Sequence, residues 1–200
     1  MSGLVLYLRS RHVPAALGAA VGLVGLLWTL WSVFSEQREV EVLMVLVTIM
    51  LLVAVATATL EGPDDELDRT AALRWPLLRM LHAPIALGVV IGLLLVTITT
   101  SARFGPAGFV VRDAAGLLGL TALGAATLGV SRSWFVPLGW TMAAVLIPAS
   151  DRPWQQALLW QIQMPGNRPA ALVAGLLAVG GCVAWAISRR TGQRAGAPSA

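Results

Sequence analysis

Half of the chain's ten acidic residues fall in one short interval: Glu61, Asp64, Asp65, Glu66 and Asp68. Arg69, Arg74 and Arg79 follow them. Acids first and bases later is the order a helix dipole favours, with negative charge at the amino end. Asp65 and Arg69 stand one helical turn apart with the acid leading, the better of the two orientations. Pro63 and Asp64 mark a start, and Pro76 a stop. Nothing in this set is arranged to make or break a covalent bond. It offers a charged face to water, which is the chemistry of docking. From spacing alone, the simplest reading of Glu61 to Met80 is a solvated, well-capped connector.

Other chemistry is excluded residue by residue. All fourteen basic residues are arginine, so no Walker A lysine is present. His12 and His82 each lie near the end of an apolar run, and no HExxH pairs them as metal ligands. Gly129-Val130-Ser131 has the outline of an intramembrane serine nucleophile, but Arg132 follows it and no histidine lies mid-membrane to act as base. The lone cysteine, Cys182, forms no intrachain disulfide and reads as a small apolar residue. Arg112 and Asp113 read as a neighbouring surface pair at the edge of an apolar run. Ion-driven transporters place carboxylates inside their spans, and none is expected in the middle of a span here. Thr97, Thr99, Thr100, Ser101, Thr121 and Thr127 are expected to bond back to their own helices. The sequence thus points to no catalytic, cofactor-binding or metal-binding residues, and to a protein that is not an enzyme.

The elements that must carry the polar interval are apolar. The 200-residue chain is 57% hydrophobic and 12% charged, with a mean hydropathy of +0.77, where a soluble domain carries about 25% charged residues. Six runs approach the ~20 residues a bilayer helix needs: Val13 to Phe34, Val42 to Leu60, Ala83 to Ala102, Ala114 to Val130, Trp134 to Ala149 and Pro169 to Ile187. The expected fold is all-α, a polytopic membrane protein of six transmembrane helices with an amphipathic connector helix between the second and third. Residues 1–190 form one transmembrane domain, and 191–200 a disordered tail. The net charge of +4 does not indicate nucleic acid, because the arginines sit singly or in pairs at the ends of apolar runs. With the amino terminus inside, nine arginines lie on the inner side and five on the outer, which sets both termini and the 61–80 loop in the cytoplasm. The start, MSGLVLYLRSRHV, reads as uncleaved, and its Leu4 to Arg11 segment suits a short interfacial helix or a frayed end.

Two patterns qualify this layout. Gly18 with Gly22, and Gly88 with Gly92, are GxxxG pairs whose flat stripe lets another helix approach, read here as packing within the bundle. Ala115 with Gly119, and Ala122 with Ala126, repeat that spacing in the fourth run. Between the fifth and sixth runs, Trp154, Gln155, Gln156, Leu158 and Trp160 belong to an amphipathic segment expected to lie in the outer leaflet, with Trp154, Leu158 and Ile162 on one side.

Taken in order, these parts resemble the membrane subunit of exporter-type ABC transporters whose permease and ATPase are separate chains. In that family the loop after the second span carries a coupling helix with a pattern like Glu-Arg-Glu-x-Gly-Thr, then a Leu-rich turn and a basic stretch. Glu66-Leu67-Asp68-Arg69-Thr70-Ala71-Ala72-Leu73-Arg74 is similar, without the glycine and with two alanines after the threonine. The resemblance covers the whole layout but only about a dozen residues of motif. It implies that Asp65, Glu66, Asp68, Arg69 and Thr70 dock in a groove of a cytosolic ATP-binding subunit, with Arg74 in support. It further implies that two permease copies, identical or not, form the pathway, and that Trp154 to Met164 lies at the extracellular mouth. The competing expectation is a non-transporting membrane anchor or assembly protein whose loop binds another cytosolic partner.

Overall fold

The computed structural model describes residues 12–59, 75–148 and 152–195, with side chains described over 12–59, 84–148 and 152–187. Among the described residues every named element is helical: α1 (Val13–Phe34), α2 (Val42–Ala58), α3 (Trp75–Thr97), α4 (Ala107–Leu128), α5 (Phe135–Leu146), α6 (Pro153–Leu158) and α7 (Arg168–Ala195). Short 3₁₀ turns at Val130–Arg132 and Trp160–Ile162 precede α5 and α7. Among the described residues, three helices are long and apolar enough to cross a membrane: α1, α4 and the Arg168–Ile187 part of α7. Val42–Ala58 and Pro84–Thr97 are apolar but shorter. The chain divides into two compact units, residues 1–110 and 111–200.

In the first unit α1, α2 and α3 pack against one another. α2 is apolar all round, yet Val45, Ile49 and Leu52 with Leu46 and Val53 form one buried stripe, while Leu43, Val47 and Leu51 stay exposed. A helix with two apolar faces suits a bilayer, where the outward face meets lipid rather than water. α1 follows the same rule, burying Ala20 and Val24 and exposing Leu17, Val21, Leu26, Leu30 and Val33.

The α1–α2 and α3–α4 loops of this unit are stitched together by backbone. Val40 N–H donates to the Arg103 carbonyl (3.0 Å), and Arg103 N–H donates to the Arg38 carbonyl (2.7 Å). Val40, Ala102 and Phe104 are buried at this junction, and Gly105 turns the chain with a φ of 76° before Pro106 and α4. The threonines expected to bond back to their own helices do so: Thr97, Thr99 and Thr100 donate to the carbonyls of Leu94, Val96 and Thr97. Two of them also accept. Thr97 Oγ1 takes the Phe104 N–H (3.2 Å), and Thr100 Oγ1 takes the Trp28 indole N–H (2.9 Å). The two hydroxyls thereby fix the loop at Phe104 and the tryptophan of α1.

The second unit holds most of α4 with α5, α6 and α7. α4 begins at Ala107 rather than at Ala114, so Arg112 and Asp113 lie in its second turn instead of ahead of it. The fifth apolar run yields only the 12 residues of α5, a length of about 18 Å at 1.5 Å per residue, short of the ~30 Å hydrocarbon core. Pro148 explains the stop, because the residue before a proline is driven out of the helical region, and Ile147 is extended (φ −88°, ψ 124°). Ahead of α5, Gly129, whose φ of 88° and ψ of 159° belong to glycine, turns the chain out of α4 into the 3₁₀ turn Val130–Arg132.

Candidate functional site

The second unit contains a cluster of buried polar side chains. Arg112 and Asp113 form an ion pair, Nε to Oδ1 at 2.7 Å, with side-chain exposures of 5% and 0%. This corrects the expectation of a surface pair. Extending α4 backwards to Ala107 carries both residues into the packed interior, and the segment 159–164 covers them. The Arg112 guanidinium reaches out of the helix to that segment: Nη1 donates to the Met164 carbonyl (3.0 Å) and Nη2 to the Gln161 carbonyl (3.4 Å). An arginine's planar fork suits this task, since it can serve a carboxylate and two carbonyls at once.

The covering segment departs from a regular amphipathic helix. α6 ends at Leu158, Leu159 leaves the helical region (φ −97°, ψ 34°), and Trp160–Ile162 forms a 3₁₀ turn. Trp154 and Leu158 are exposed, Gln155 and Gln156 half-buried, and Leu159, Trp160 and Gln161 buried. The continuous face of Trp154, Leu158 and Ile162 is therefore cut after its first two members, and the side opposite them is anchored. Trp160 lies over Gly116, where a Cβ would run into its six-membered ring. Gly116 is one turn along α4 from Arg112 and Asp113, so the ring and the ion pair share one face of that helix. Trp140 Nε1 adds a bond to the Leu158 carbonyl (3.0 Å), and the Asn167 amide donates to Gln156 Oε1 (3.1 Å). Asn167 also caps α7, its Oδ1 accepting the Ala170 N–H at 2.9 Å.

Not every polar atom in the cluster is paired. Asp113 Oδ2, Trp160 Nε1, and both Nε2 and Oε1 of Gln161 are buried with no hydrogen-bond partner. Buried polar atoms are nearly always bonded, so a knot of such atoms beside a buried charge pair marks a place of chemical interest. Buried charges are costly unless each is paired, as these two are. No group of three or more potential ligands that could hold a metal ion occurs among the described residues.

The other positions singled out in the sequence fare differently. Asp65, Glu66, Asp68, Arg69, Thr70 and Arg74 lie outside the described residues. Gly18, Gly22, Gly88 and Gly92 have nothing within 4 Å of where a Cβ would stand. Close helix approach occurs instead in the second unit. A Cβ at Gly119 would collide with the Leu177 carbonyl of α7, and one at Gly181 with the Gly119 carbonyl of α4. The spacing rule had picked out Gly119 but not Gly181 or Gly116. Gly116 and Gly119 are three apart on α4, a small-residue pair that a four-residue search passes over. No family model, curated protein or solved structure matches the chain.

Proposed function

We propose that this chain is the transmembrane subunit of an ATP-driven exporter, forming a substrate pathway as a dimer and taking its energy from a separate cytosolic ATPase. The observation that carries the reading is the acid-then-base segment from Glu61 to Arg74, set between the apolar helices α2 and α3. In a chain this poor in charge, half of all the acids are spent on one connector. Acid-to-base polarity by itself suits any capped helix. What favours docking is this concentration of charge together with the resemblance of Glu66 to Arg74 to the coupling helix of exporter-type permeases.

The membrane setting supports the reading. Three helices can cross a bilayer by length and composition, and the proposal extends these to six crossings with both termini in the cytoplasm. In that arrangement α2 and α5 are the short members, and α6 with its 3₁₀ turn lies at the outer mouth before the last crossing. The absence of lysine from the whole chain fits a subunit that leaves nucleotide chemistry to a partner.

The test is a charge reversal, Glu66→Lys with Asp68→Lys, assayed by export from cells or proteoliposomes containing the partner ATPase. Loss of export with unchanged abundance and unchanged thermal unfolding is the expected outcome. Full activity in the double variant would remove the coupling role from this loop.

A further inference from the structure

The turn between α4 and α5 carries an inference that depends on α4 crossing a membrane and not on the exporter reading. From Ala114 to Ser150 the chain holds a single charged residue, Arg132. It ends the 3₁₀ turn Val130–Arg132 and is exposed. Trp134 and Phe135 follow, stacked with ring centroids 4.0 Å apart and planes at 23°, and they are 44% and 51% exposed. Ser133, between the arginine and the rings, is buried. Its backbone lies against α4, where a Cβ at Gly124 would strike the Ser133 carbonyl, and its hydroxyl donates to the Val130 carbonyl (2.7 Å). A buried serine thus pins the turn and leaves the cation and the aromatic pair at the surface.

The position of the turn on the helix says what meets it. α4 has 22 residues, about 33 Å at 1.5 Å per residue, so its end at Leu128 reaches the boundary of a ~30 Å hydrocarbon core. The turn beyond it stands at headgroup depth, where tryptophan rings gather. α5 carries an exposed apolar stripe away from the rings, through Phe135, Met142 and Leu146, while Pro137, Thr141 and Ala144 are buried on its other side. An apolar stripe, then aromatic rings, then one cation is the order that matches a phospholipid read from acyl chain to phosphate. No acid between Ala114 and Ser150 competes for the cation, and a guanidinium can meet a phosphate with two parallel N–H donors. We infer that the α4–α5 turn docks the headgroup of an anionic phospholipid. Arg132 takes the phosphate, and Trp134 and Phe135 lie beside the glycerol and upper acyl carbons.

Photo-crosslinking from this turn tests the inference on the intact chain. Benzoylphenylalanine replaces Phe135, the chain is placed in nanodiscs of equal parts phosphatidylglycerol and phosphatidylcholine, and mass spectrometry identifies what the probe captures. Phosphatidylglycerol adducts are expected to outnumber phosphatidylcholine adducts roughly fivefold, the preference that one basic residue gives at an anionic surface. In Arg132→Gln the ratio is expected to fall to about one, with the melting temperature unchanged because the side chain is exposed. Equal capture of the two lipids with Arg132 in place would overturn the proposal, and so would a preference that survives in Arg132→Gln. Capture of another segment of this chain in place of lipid would overturn it as well, by showing that protein covers the turn.

Discussion

Arg112 and Asp113 are where the chain concentrates its electrostatic risk. Two charges in an apolar interior are tolerated because each serves the other and Arg112 also serves two carbonyls. Arg112→Ala is expected to lose about 3–5 kcal/mol of stability, the penalty for stranding one buried charge. Replacing the pair together, Arg112→Met with Asp113→Leu, is expected to be markedly milder. Tryptophan fluorescence during thermal unfolding in detergent measures both. Equal losses in the two variants would mean that the pair is not the unit. The residues of this pair are plain in the sequence, but their burial is not. Hydropathy begins the fourth apolar run after the last charge, at Ala114, whereas the helix begins after the Gly105-Pro106 break, at Ala107. A charge inside a helix looks, to a hydropathy count, like the end of one.

At the scale of elements, α4 meets α7 where neither has a side chain to spare. Gly119→Leu and Gly181→Leu would each drive a side chain into the facing backbone, and both are expected to lower the melting temperature or prevent accumulation. Gly18→Leu and Gly22→Leu, with open space around them, are expected to leave the isolated chain's stability unchanged. Asn167→Ala removes the cap of α7 and is expected to cost about 1 kcal/mol, read as a lower melting temperature. Helix existence was legible from apolar length, and α1 matches the run Val13 to Phe34 end for end. The break in the Trp154 to Met164 segment was not. Its periodicity is helical through Ile162, but the α-helix stops at Leu158, and Arg112, 49 residues away, donates to the Gln161 carbonyl in the 3₁₀ turn that follows. A distant side chain of this kind leaves no local trace. The faces of α2 were equally hidden, because a helix apolar all round gives no sign of which stripe is buried.

At the scale of the molecule, α1 and α7 are long and apolar enough to cross a membrane and expose apolar faces, and the proposed function sets those faces against lipid and the charge-rich connector against a cytosolic partner. Orientation is tested in a Cys182→Ala background, with Thr70→Cys and Gly166→Cys introduced one at a time. A membrane-impermeant thiol reagent applied to intact cells is expected to label the second and not the first. Labelling of the first alone would invert the topology. The concentration of acids between α2 and α3 is plain in the sequence, whereas the burial of Arg112 and Asp113 is not. Under the proposed function, the exported molecule would depend on which faces two copies turn toward each other, and no sequence pattern marks those faces.

The central claim is that an ATPase docks on the Glu61 to Arg74 connector. The most direct measurement is affinity purification of the tagged chain in mild detergent, with mass spectrometry and an ATPase assay on the same sample. The account predicts a stoichiometric ATP-binding subunit with a Walker A motif, and vanadate-sensitive ATP hydrolysis that is lost with the subunit in the Glu66→Lys, Asp68→Lys variant. A folded, abundant chain that brings down no ATP-binding subunit, or one that binds equally well to the charge-reversed variant, would contradict it.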